Sequence, residues 1–200
     1  MKTELKENIM NRIATNKLKA FSCYDFTDLA DYKTVSKFFE RMEDAGEIRR
    51  IIKGIYCLNK YDKLLSIPIL PSTNDVANCL ARKHKWIICP TGNAALNMMG
   101  LSTQVPGTYI YLSNGPYKQY SIYDIPLIFK RTMNRELSNY SFVTLLLIQC
   151  IKALGKDNID DEVIDTLRYR LSKDNKKRAL EETPFVQAWI RRIIVEICKE

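Results

Sequence analysis

Lys33, Lys37, Arg49, Arg50 and Lys53 crowd together in the first third of the chain, with Tyr32, Thr34 and Ser36 among them. Cations interleaved with hydroxyls and a ring suit the chemistry of a phosphate backbone. Lysine and arginine neutralise phosphates and displace counterions, hydroxyls reach base edges, and a tyrosine ring packs on the sugar-phosphate backbone. Five such contacts would give a log-log salt dependence of binding with a slope of about −4.5, at about −0.9 per neutralised phosphate.

The elements that must position these residues are legible in residues 21–58, FSCYDFTDLADYKTVSKFFERMEDAGEIRRIIKGIYCL. Val35, Phe38, Phe39 and Met42 recur at i, i+3, i+4 and i+7, which places them on one face of a helix. Asp31 is the N-cap, and Ala45-Gly46 supplies the stop, because glycine adopts the left-handed conformation cheaply. β-branched runs flank Lys53-Gly54 and predict a tight hairpin, with a bulge where Ile51 and Ile52 are adjacent. Asp25 to Ala30 reads as a short helix before the main one. The first helix repeats Leu5, Ile9 and Ile13 on one face, and Phe21 starts a short strand.

That order is a helix-turn-helix followed by a wing. Lys33, Thr34, Ser36 and Lys37 then lie at the leading end of the recognition helix, Arg49, Arg50 and Lys53 lie on the wing, and Tyr32 packs on the backbone. The plainer alternative is a protein-binding module, since the same helix carries Glu40, Glu43 and Asp44. The basic leading end beside a basic wing favours a duplex.

The net charge of +8 also favours a polyanionic partner, though only weakly. Basic residues exceed acidic ones by 12 to 9 in residues 1–60 and by 19 to 14 in residues 61–200, so the excess is not confined to the first module. The six cysteines stand apart, without a C-x-x-C pair, and His84 is the single histidine; zinc-ligand spacing is absent. The thiols are expected to be reduced core residues of a cytoplasmic protein. No apolar run reaches the length of a membrane span, and MKTELKENIMNRI reads as a charged amphipathic helix rather than a signal peptide.

Further along, Asn59 to Pro71 reads as a linker with a boundary near residue 65, dividing the chain into 1–62 and 66–200. The fold class expected is α+β: an N-terminal winged helix-turn-helix and a mixed second domain. In that domain a helix from Ser72 to Lys83 precedes a strand at Trp86–Cys89 and a helix at Asn93–Met99. A small antiparallel sheet follows over Tyr109–Leu112, Tyr117–Tyr123 and Ile125–Arg131. The last helices are Phe142–Leu154, Asp160–Leu171 and Pro184–Lys199, with Asp160 as a cap and Pro184 in a first turn.

No catalytic constellation emerges, and no cofactor or metal site is expected. Asp160, Asp161 and Glu162 sit where a cap and first-turn acids belong, and Asp157 lies just before them. His84 closes a helix. Pro90-Thr91-Gly92-Asn93 lacks the lysine of a phosphate loop. The tyrosines from Tyr109 to Tyr123 offer a stacking platform for single strands, but β-propensity explains them more simply.

Two stretches resemble the AbiEi-type antitoxins of type IV toxin–antitoxin systems, in their transcriptional-regulator branch. One is Val35…Phe38-Phe39…Met42…Ala45-Gly46-Glu47-Ile48…Gly54-Ile55-Tyr56. The other is Gly92-Asn93-Ala94-Ala95-Leu96-Asn97…Gly100-Leu101-Ser102-Thr103-Gln104-Val105-Pro106 with Tyr109-Ile110-Tyr111-Leu112-Ser113-Asn114-Gly115. The resemblance covers roughly residues 5–131. It implies a winged helix that binds double-stranded operator DNA and represses its own operon. It also implies a second domain that counteracts a nucleotidyltransferase-like toxin without a stable complex. The family offers no catalytic residues to carry over. The rival expectation is a nucleic-acid-processing enzyme, or a stand-alone regulator, with the winged module as a targeting device. Operator sequence, toxin and oligomeric state stay open.

Overall fold

The computed structural model describes residues 2–199. The chain is α+β and forms two compact units that divide between Trp86 and Ile87.

In the first unit, helix α1 (Lys2–Thr15) buries Ile9 and Ile13. Phe21 bridges to Tyr56, the two residues exchanging backbone hydrogen bonds of 2.9 and 2.8 Å. The short helix expected at Asp25–Ala30 is a 3-10 turn at Cys23–Phe26, opened by a Ser22–Asp25 capping box. Helix α2 (Tyr32–Asp44) buries Val35, Phe39 and Met42, and Gly46 follows with φ +70°. Strands β1 (Ile48–Ile52) and β2 (Ile55–Leu58) pair antiparallel, with a register shift between Arg50 and Ile52 at the expected bulge.

The core of this unit is a ring cluster. Phe39 lies edge-on to Phe21, Phe26 and Tyr56 at centroid distances of 5.6, 5.7 and 5.2 Å. Edge-to-face pairs add about 0.5–1.5 kcal/mol each beyond area burial, so Phe39 pins α2 to the hairpin.

The expected linker is folded. Strands β3 (Lys60–Tyr61) and β4 (Pro68–Ile69) pair antiparallel, and Asp62 accepts backbone hydrogen bonds from Leu64 and Leu65 at 2.9 Å each. Helix α3 (Thr73–His84) then begins at a Ser72–Asp75 capping box. The boundary expected near residue 65 falls inside the first unit, and α3 belongs to that unit. Arg82 shows why, donating to Asp25 Oδ1 at 2.9 Å and to the Ala20 carbonyl at 2.8 Å. Prolines and polar residues mark a turn, but they do not report such distant contacts.

In the second unit, strands β5 (Ile88–Pro90), β6 (Tyr109–Ser113), β7 (Lys118–Ile122) and β8 (Ile125–Arg131) form one sheet in the order β5-β6-β8-β7. Helix α4 (Gly92–Met98) lies between β5 and β6 in sequence. The expected antiparallel sheet is corrected to a mixed one, because β6 and β8 run parallel from Tyr109↔Leu127 to Ser113↔Arg131. The cause is local. Tyr123 and Asp124, with φ +51° and +64°, make a two-residue turn that locks β7 and β8 as a hairpin, and β8 takes the place beside β6. The tyrosines divide. Tyr111 is buried against Phe129, while Tyr117 and Tyr123 are exposed.

Helices α5 (Asn134–Ser138), α6 (Phe142–Leu154), α7 (Asp161–Arg170), α8 (Lys173–Glu182) and α9 (Ala188–Cys198) complete the unit. Helix α6 is buried continuously from Thr144 to Ile151, a mostly apolar run that also takes in Thr144 and Gln149, as befits a core helix. Asp160 caps α7, accepting from the Val163 amide at 2.9 Å. Helix α8 was not expected, and Pro184 lies between α8 and α9 rather than in the first turn of the last helix. The buried Thr183 hydroxyl donates to the Ala179 carbonyl at 2.5 Å and accepts from Arg191 at 2.8 Å, which fixes the break. Among the described residues, no helix is long and apolar enough to cross a membrane.

Candidate nucleic-acid interface

Helix α2 presents its leading end to solvent. Asp31 caps it, accepting from the Thr34 amide at 3.0 Å and the Thr34 hydroxyl at 2.6 Å. Those hydrogen bonds hold the Asp31 carboxyl below its ordinary range. Lys33 and Lys37 are exposed one turn apart, and Ser36 is half-buried between them. Neither lysine has a hydrogen bond or ion pair among the described residues. Tyr32 is 47% exposed and stacks at a tilt on Tyr24, at a centroid distance of 4.9 Å.

The hairpin treats its cations differently. Arg49 donates to Asn59 Oδ1 at 3.1 Å and to the Tyr61 hydroxyl at 2.9 Å. Arg50 pairs with Glu43 at 2.7 Å and lies 5.5 Å over the Tyr56 ring. Its guanidinium is held above its ordinary pKa by that hydrogen bond. Both arginines are thus turned onto the protein itself. Lys53, at the tip, is exposed and engages no partner among the described residues.

The structure therefore brings Tyr32, Lys33, Ser36 and Lys37 onto one helix end and Lys53 to the hairpin tip. It commits the Thr34 hydroxyl to the helix cap, and Arg49 and Arg50 to intramolecular contacts. Sequence reasoning counts cations but does not see their partners. It also missed Tyr24, which has no periodic relation to Tyr32. It missed Lys83 of α3, whose Nζ would lie 2.9 Å from a Cβ built on Gly54. The one available signal for Lys83 was its place in a basic helix end, Arg82-Lys83-His84.

Elsewhere the chemistry is quiet. Burial pushes the Cys23 thiol up to about 11 and Cys79, Cys89 and Cys150 to about 12. These four are protonated at neutral pH and are not thiolate nucleophiles. Asp161 and Glu162 lie exposed in the first turn of α7, and Asp157 is exposed just before it. No group of three or more His, Cys, Asp or Glu is placed to hold a metal ion among the described residues. His84 stacks on Trp86 at 4.6 Å.

No curated protein matches the sequence. A family model does match it, over residues 8–179, and that span takes in the first unit almost whole together with most of the second. The chain belongs to DUF6088, a family of unknown function.

Proposed function

We propose that the chain is a duplex-DNA-binding regulator, its first unit acting as a winged helix-turn-helix and α2 as the recognition helix. One observation carries the reading: Lys33 and Lys37 stand unpaired at the leading end of a helix pinned by Phe39 to a hairpin whose tip carries Lys53. A helix in that setting enters the major groove end-on, and the hairpin tip meets the backbone beside it. Tyr32, stacked on Tyr24, gives the sugar-phosphate chain a ring to pack against. The acidic trailing half of α2, with Glu40, Glu43 and Asp44, stays away from phosphates in that pose.

The resemblance to AbiEi-type antitoxins extends the reading. In the extended form the chain represses its own operon, and its second unit counteracts a nucleotidyltransferase-like toxin. Footprinting of the full chain on the DNA upstream of its own gene tests the regulatory part. Protection of a discrete segment supports it, and no protection contradicts it. Co-expression with a neighbouring nucleotidyltransferase-like protein tests the antitoxin part, which requires restored growth. Growth that stays arrested removes that part and leaves DNA binding standing.

A further inference from the structure

The hairpin tip has a visitor from α3. Gly54 has φ +77°, and a Cβ built on it would sit 2.9 Å from Lys83 Nζ. The amine therefore rests in space that a glycine leaves open, beside the residue that follows Lys53. Lys83 is half-buried in the last turn of α3. The helix that carries it is anchored at its start, at Ser72–Asp75, and next to Lys83 through Arg82 to Asp25 and Ala20.

No ion pair among the described residues accounts for the placement. Lys83 and Lys53 make no hydrogen bond or ion pair among the described residues. Asp25 and Glu40 both act with Lys83 on the nearby Cys23 thiol, but neither pairs with Lys83 among the described residues, and Asp25 is already shared by Arg82 and by the Ser22 amide, at 2.9 and 2.8 Å. Two lysines at one turn with no ion-pair partner among the described residues leave two positive charges that external phosphates can neutralise.

We propose that Lys53 and Lys83 form a two-lysine clamp at the hairpin tip that takes neighbouring backbone phosphates of one strand, one phosphate to each lysine. The clamp rests on the duplex reading above, and the ligand group is a nucleic-acid phosphodiester. Arg49 and Arg50 hold no phosphate, and Lys83 joins the contact set in their place. Lys33, Lys37, Lys53 and Lys83 then make a set of four. A lysine from α3 makes the binding surface larger than the helix and wing alone, and α3 becomes part of the DNA-binding unit.

The test uses the full chain and a random-sequence duplex, because non-specific binding reports phosphate contacts directly. Binding is followed by fluorescence anisotropy over a range of salt concentrations. Lys83→Gln is expected to make the log-log slope shallower by about 0.9 and to weaken binding several-fold at low salt. Lys83→Arg retains both. Lys85→Gln, an exposed lysine two positions on, controls for net charge and leaves the slope unchanged. Circular dichroism confirms that each variant is folded. A Lys83→Gln protein with the wild-type slope overturns the clamp, provided Lys33→Gln flattens it, and the duplex reading then survives. Equal effects of Lys83→Gln and Lys85→Gln also overturn the clamp. A wild-type chain that does not bind the duplex overturns both.

Discussion

Arg49 and Arg50, on the hairpin stem, are turned back onto the protein, whereas Lys33 and Lys37, at the leading end of α2, extend from it. Both pairs are basic, and both are near the same helix. The difference lies in their neighbours. The stem arginines face Asn59, Tyr61, Glu43 and Tyr56, a planar guanidinium being well suited to a fork of acceptors and a ring face. The lysines stand where α2 emerges, with an acidic cap already satisfied by Thr34. Using Arg50 on a phosphate would require breaking its pair and would leave Glu43 facing DNA. A count of positive residues therefore overstates the electrostatic contact, and geometry divides it into structural and available charge.

The comparison breaks most completely if its scaffold is removed. Phe39→Ala should destabilise the first unit by about 3–5 kcal/mol, the cost typical of a buried phenylalanine truncated in a core. Denaturant unfolding measures it, and DNA binding should vanish with the fold. A loss below about 1 kcal/mol would mean that the ring cluster does not pin α2 to the hairpin.

Next in size is the division of charge itself. The double change Lys33→Gln/Lys37→Gln should make the salt slope shallower by about 1.8 without moving the unfolding midpoint. Arg49→Gln/Arg50→Gln should do the reverse, lowering the midpoint and leaving the slope. Equal slopes for the two doubles would erase the distinction.

A smaller effect sharpens it. Asparagine caps a helix about as well as aspartate. Asp31→Asn should therefore keep the α2 cap, losing only the share of stability that the ionised carboxyl contributes, while tightening duplex binding modestly, because one negative charge leaves the helix end. Weaker binding would place that end away from phosphates.

Acid exposes the smallest effect. Asp28 is held below its usual 3.8 by its hydrogen bond to Arg12, and Asp31 is lowered by its bonds to Thr34. Carboxyls depressed in the fold bind fewer protons than in the unfolded chain. They stabilise above pH 3.8 and lose that contribution as pH falls through their folded values. Arg12→Gln should remove the Asp28 share, flattening the acid limb of an unfolding-midpoint profile and leaving the profile above pH 5 parallel to wild type.

Local pattern made much of the first unit readable. The Val35–Met42 stripe, the Asp31 cap, the Gly46 stop and the bulge beside Ile51 all follow from short-range rules, and each stands where those rules put it. The placement of α3 does not follow from such rules, because Arg82 reaches Asp25 and Ala20 across a long span of chain. The parallel β6–β8 pair was hidden for a related reason: strand order depends on which edge is free, and periodicity is silent on that. Helix α8 was obscured by its composition, KDNKKRALEE, whose single buried residue is Ala179. Among candidate site residues, Lys33, Lys37 and Lys53 were legible because exposure follows from helix phase and turn position. The engagement of Arg49 with Tyr61 was not, since Tyr61 lies in a segment that reads as a linker.

We propose that a small set of unpaired lysines binds duplex phosphates. Titration of the full wild-type chain with a random-sequence duplex, repeated across salt concentrations, tests it most directly. Binding through Lys33, Lys37, Lys53 and Lys83, at about −0.9 each, gives a linear log-log plot with a slope of about −3.6. A slope near zero, or no binding at low salt, would contradict the claim. A slope near about −5.4 would show that Arg49 and Arg50 leave their partners to join the contact, contradicting the division of charge on which the account rests.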